Sequence, residues 1–76
     1  MNDTLAMFHR AHAVHVALNA RTDFQRLWNE LEDDIHELPP STLANLRAVT
    51  ARYLEDKNAR WELRVGAMVL NTMLDY

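Results

Sequence analysis

The sequence predicts an all-α protein of three or four helices, a small helical bundle or hairpin whose core is completed by oligomerisation. Three observations carry this expectation. The 76 residues include one Gly, two adjacent Pro and no Cys, among many Ala, Leu, Arg and Glu. That is a composition of good helix formers with few breakers. Apolar residues recur at steps of three and four rather than alternating, which is the helical period. Finally, the last sixteen residues, Trp61 to Tyr76, are apolar almost all the way round a helix. Such a helix is normally buried on nearly every face, yet a chain this short has a thin core of its own.

The length allows one domain, residues 1–76. A first helix is expected from about Asp3 to Ala20, capped by Asn2, Asp3 or Thr4 and ending near Asn19. A second helix starts at Thr22 and Gln25, which stand at the spacing of a reciprocal capping box. Its apolar positions, Phe24, Leu27, Trp28, Leu31, Ile35 and Leu38, draw one narrow stripe and leave the opposite face to acids. Pro39 and Pro40 end it. The residue before a proline is pushed out of the helical region, and Pro40 suits the first turn of a third helix. Leu38 and Leu43 are placed for a hydrophobic staple across that start. The turn is therefore tight, and the second and third helices are expected to lie antiparallel.

From Ser41 onward Leu43, Leu46, Thr50, Tyr53, Leu54, Trp61, Val65 and Met68 keep one helical face in step, with Lys57 as the charged break. Residues 41–75 make either one helix or two. A break near Asp56 to Asn58 is favoured, because one unbroken helix would reach about 50 Å at 1.5 Å per residue. In the last segment Trp61, Val65 and Met68 fall on one side and Leu63, Leu70 and Leu74 on the other, with Val69 and Met73 between. Arg60, Arg64, Asn71 and Asp75 form its polar strip.

Composition excludes several function classes. Without Cys there is no disulfide, thiolate chemistry or sulfur-based zinc site. The opening Met-Asn-Asp-Thr-Leu lacks a positive n-region, so no signal peptide is expected, and no apolar stretch is long enough for a membrane span. A cytoplasmic location and no membrane partner follow as expectations. Net charge is −3, and seven of the eight basic residues are Arg spread singly from Arg10 to Arg64. Nucleic-acid binding rests on clustered positive charge; the chain has none, so no direct nucleic-acid contact is expected. The acids bunch instead: Glu30, Glu32, Asp33, Asp34 and Glu37 fall within eight positions.

His9, His12 and His15 are adjacent turn to turn on the first helix. Imidazoles three residues apart can share a transition metal, which makes these three the candidate ligands. The competing reading places His12 and His15 in the packing face with Leu5, Phe8, Ala11 and Val16, or at a pH-sensitive interface, since free imidazole titrates at about 6.5. No metal and no cofactor is the expectation. Glu30, Asp33, Asp34 and Glu37 form a candidate partner-facing acidic patch, against the simpler reading of a solvated face on which Glu32 pairs with His36. Aromatic residues are over-represented at interfaces. Trp28 lies mid-stripe and is read as core, whereas Trp61 and Tyr76 are better interface candidates. No Ser or Cys stands beside a His in a catalytic arrangement, and there is no Gly-rich phosphate loop or HExxH. Glu62 is an isolated acid on an apolar helix. Catalytic residues: none.

One segment resembles a known family. Pro40-Ser-Thr-Leu-Ala-Asn-Leu-Arg, then Tyr53, then Lys57-Asn58-Ala59-Arg60 is similar in order and spacing to the hairpin of type III secretion needle subunits. The resemblance implies two helices about a proline-containing turn, the second packing into a helical filament. It covers residues 40–60, mostly common helix formers. Met68 and Val69 stand where that family usually has a Lys-Asp pair, and residues 3–20 form a firm helix where it is usually polar and loosely ordered. The resemblance assigns no functional residue.

The expected function is therefore non-enzymatic: a small helical protein–protein interaction module, an adaptor, inhibitor or regulatory subunit that binds and occludes a partner protein. Small standalone chains of bacteria, phages and mobile elements often act in this way. A homodimer or small homo-oligomer is expected, with Trp61, Val65, Met68, Val69, Met73 and Tyr76 as its interface residues. The alternatives are a self-assembling filament subunit and a His-cluster metal-binding protein.

Overall fold

The structure, a computed structural model, describes residues 3–75, and these form four helices joined by short turns. α1 (Asp3–Ala20) ends because Arg21 enters the left-handed region at φ 58°. Its amide then donates to the Leu18 carbonyl at 3.2 Å and the Thr22 amide to that of Ala17 at 3.0 Å. Two carbonyls of the last turn are thereby satisfied. This closure overturns the expected capping box. Thr22 is used to close α1, so α2 (Phe24–His36) starts after Asp23, a left-handed residue whose side chain makes no cap bond. Gln25 turns along the helix and donates to Asn29 at 3.0 Å.

α3 (Pro40–Glu55) begins as expected, with Pro40 in its first turn and Leu38 and Leu43 both packed on the core. The expected break between the third and fourth helices also forms. Asp56 adopts an extended ψ of 104°, and its carboxylate accepts the Asn58 amide at 2.9 Å. That short bond turns the chain, and α4 (Trp61–Leu74) starts after Arg60. The longest dimension of the molecule is 32 Å, well short of the roughly 50 Å an unbroken helix would need.

The helices pack in the order α2, α1, α4, α3. α2 folds back on α1 as an antiparallel pair, with Arg10 of α1 reaching Asp34 of α2 at 2.7 Å. α3 packs on α4, and Arg47 donates to the Leu74 carbonyl at 3.0 Å, supplying a cation to the C-terminal end of α4. α1 and α4 form the central contact, and Gly66 sets how closely they meet. A Cβ there would lie 2.6 Å from the backbone oxygen of Phe8. The expected antiparallel pairing of α2 with α3 is corrected: these two touch only weakly, because each is covered by a different inner helix.

The core joins Phe8, Ala11 and Val14 of α1 to Leu31 and Ile35 of α2, Leu46 of α3, and Ala67, Leu70, Met73 and Leu74 of α4. Burying each large apolar side chain is worth about 1.5–3 kcal/mol. Phe8 meets the ring of Tyr53 edge-on, 5.1 Å between centroids. The radius of gyration, 11.7 Å, is close to the roughly 11.4 Å expected of a folded domain of this length. Among the described residues no helix is long and apolar enough to cross a membrane.

Candidate functional site

Where the interface residues named from sequence fall depends on which side of α4 faces its neighbours. Val65 and Met73, expected on the oligomer face, are 3% and 2% exposed. They are corrected to buried residues of the single chain, Met73 within the main core and Val65 beside His15 and Trp28. Val69 is half-buried against the core. Trp61 and Met68 are open to solvent, at 68% and 60% exposure. Tyr76 lies outside the described residues.

Trp61 and Met68 are two turns apart on α4, so they present one face. With His15 of α1, Trp28 of α2, Val65 and Val69 they line an open groove of about 240 Å³. Trp28 is half-buried and tilts against Phe24, 5.9 Å between ring centroids. It is therefore both the upper edge of the core and a wall of the groove. The groove is apolar, with His15 and Thr72 as its polar lining. Trp61 and Met68 thus form an exposed apolar pair beside the indole of Trp28.

The acidic patch divides in two. Glu30 is bound by Arg26 at 3.1 Å and Asp34 by Arg10 at 2.7 Å. Glu30, then Asp23, hydrogen-bond the Arg26 guanidinium and hold it above its ordinary value. Asp33 and Glu37 are exposed, with no ion pair among the described residues. Glu32 and His36 do not pair. The face is thus partly neutralised from within the chain.

The three histidines do not converge. His9 is exposed, His12 half-buried, and His15 Nε2 accepts from the Asn19 side-chain amide at 3.1 Å. Among the described residues no three His, Asp or Glu side chains are grouped to hold an ion.

Sequence reasoning missed the outer face of α1. Leu5 and Val16 are 39% and 50% exposed, and Ala6, His9 and Ala13 are exposed between them. From Thr4 to Ala20 the only side chain of fixed charge is Arg10, already held by Asp34. An 18-residue helix therefore turns to solvent a face without Asp, Glu, Lys or Arg. The signal lies in the sequence as a helix with one basic residue, but α4 has the higher density of large apolar residues.

A second cleft, of about 360 Å³, opens between α1 and α3, where the Phe8–Tyr53 contact forms the floor and Asn45 donates to Thr4 at 3.3 Å. Arg52 and Asp56 stand at its edge.

No family model, no curated protein and no solved structure matches this chain.

Proposed function

We propose that this protein is a non-enzymatic interaction module, an adaptor, inhibitor or regulatory subunit that binds a partner protein and occludes it. The observation that carries this reading is the groove walled by Trp28 and flanked by exposed Trp61 and Met68. Aromatic anchors of this kind dominate the energetics of protein interfaces. The free carboxylates of Asp33 and Glu37 supply charge for orienting a partner, an effect felt mainly in the rate of association. The reading is tested with a photo-crosslinking amino acid at Met68, compared with one at Ser41 on the exposed start of α3. A discrete adduct in the native cell from position 68, lost on Trp61→Ala, is the expected result. Equal labelling from both positions, or none, overturns it.

A second reading, a self-assembling filament subunit, is favoured by a separate observation. The groove and the outer face of α1 are two unlike uncovered surfaces on one small molecule. Pairing of unlike surfaces gives a ring or, where the rotation does not close, an open helical assembly. Light scattering that grows without limit as concentration rises would favour this reading over the module.

A further inference from the structure

We infer that the cleft between α1 and α3 binds a free α-amino acid with an apolar side chain. Arg52 takes its carboxylate, Asp56 its ammonium, and a floor of Phe8, Val49 and Tyr53 its side chain. The cleft shares no lining residue with the groove beside Trp28, so this goes beyond the groove reading and does not depend on it.

The cleft follows from the packing order. α1 and α3 both lie on α4 and touch each other only weakly, so a trough of about 360 Å³ remains between them. Small-molecule sites usually measure about 300–1,000 Å³. Val49, Arg52, Tyr53 and Asp56 stand at steps of three, one and three along α3 and its end, which brings them to one side of the helix. Across from them Phe8 meets Tyr53 edge-on at 5.1 Å and closes the floor. Two rings and a valine accept an apolar body, and an aromatic one gains an edge contact.

Charge decides the occupant. Arg52 and Asp56 both line the cleft, yet they form no ion pair with each other or with any other side chain among the described residues. The turn explains this. Asp56 leaves the helix with an extended ψ of 104°, and its Oδ1 accepts the Asn58 amide at 2.9 Å, which keeps the carboxylate from closing on Arg52. A simple carboxylate would meet Arg52 but bring its charge beside Asp56. A simple amine would meet Asp56 but bring its charge beside Arg52. Like charges so placed oppose binding. A zwitterion answers both groups with charge-assisted hydrogen bonds and no net charge. Both residues are exposed, and solvent and salt weaken ion pairs there, so the binding is of millimolar strength.

The test titrates L-phenylalanine into the isotope-labelled full chain and follows the backbone amides by NMR. Saturable shifts at Phe8 and along α3 from Val49 to Asp56, with a millimolar Kd, are the expected result. L-Phenylalaninamide lacks the carboxylate and N-acetyl-L-phenylalanine lacks the ammonium, and each should bind several-fold more weakly. Arg52→Gln should remove the advantage of phenylalanine over the amide. Asp56→Asn keeps an oxygen for the Asn58 amide and should remove its advantage over the N-acetyl form. Lys57 is an exposed cation outside the cleft, and Lys57→Gln is the reference for general charge effects. The three ligands test the site on the unaltered chain, so no result hangs on the folding of a variant. No saturable shift at tens of millimolar overturns the site, and so do saturable shifts around Trp28 and Trp61 instead. Equal binding of the three ligands overturns the recognition of both charges. A loss in Arg52→Gln no larger than in Lys57→Gln overturns the role of Arg52.

Discussion

α1 and α4 are both apolar around most of their circumference, yet the fold treats them oppositely. α4 has neighbours on two sides and buries Val65, Gly66, Ala67, Leu70, Met73 and Leu74. It leaves only Trp61 and Met68 prominent. α1 also has two neighbours, but its large apolar residues Phe8 and Val14 point inward. Its outward surface carries alanine, histidine and three exposed aliphatic side chains, Leu5, Val16 and Leu18. Apolar character all round therefore means two different things here. In α4 it marks a helix whose apolar side chains the chain mostly buries, with Trp61 and Met68 left open; in α1 it marks an outer face of smaller side chains.

Substitutions matched across the two helices test this contrast most strongly. Leu70→Ala on α4 removes a fully buried side chain and is expected to cost about 2–5 kcal/mol. Val16→Ala on α1 is expected to change monomer stability by no more than about 0.5 kcal/mol. Urea denaturation of both proteins at low micromolar concentration checks the pair. Comparable losses would mean that the outer face of α1 is already covered.

The crossing point comes next. Gly66→Ala drives a methyl into the Phe8 carbonyl, and because the obstacle is backbone no rotamer change relieves it. The expected loss is at the upper end of the about 1–3 kcal/mol typical of overpacking, read as a lower midpoint with little change in the denaturant slope. An unchanged midpoint would show that α1 and α4 leave room for a methyl group at this crossing.

A smaller effect of opposite sign is expected on α3, the helix covering the far side of α4. The Thr50 hydroxyl is buried and has no hydrogen-bond partner among the described residues. Thr50→Val keeps the shape, removes the unsatisfied group and should raise stability by about 1 kcal/mol. Thermal unfolding decides it, and a lowered Tm would reveal a partner for that hydroxyl. The smallest effect belongs to the Arg10–Asp34 pair, whose side chains are about half exposed. A double-mutant cycle should give a coupling below about 1 kcal/mol that fades with added salt.

Much of this architecture was legible in the chain. The narrow stripe of α2 shows through because its polar and apolar faces differ sharply, and Pro39–Pro40 and Asp56–Asn58 interrupt the helical pattern by local chemistry. The closure of α1 was not legible. Arg21 and Asp23 occupy left-handed conformations usually taken by Gly or Asn, so nothing in their identity announces the turn. Nor was the fate of Val65 and Met73, which depends on the neighbours that reach them.

Sequence alone determined the all-α class, the breaks near prolines and Asp56, and the uncharged character of α1, because these follow from local sterics, hydrogen bonding and composition. The tertiary structure decided which inner helix covers which outer one and where Gly66 lets two backbones touch. It also decided that Trp61 and Met68 remain open while Val65 and Met73 close. Those outcomes depend on pairs of surfaces far apart in the chain, and a helical pattern describes only one surface of each pair.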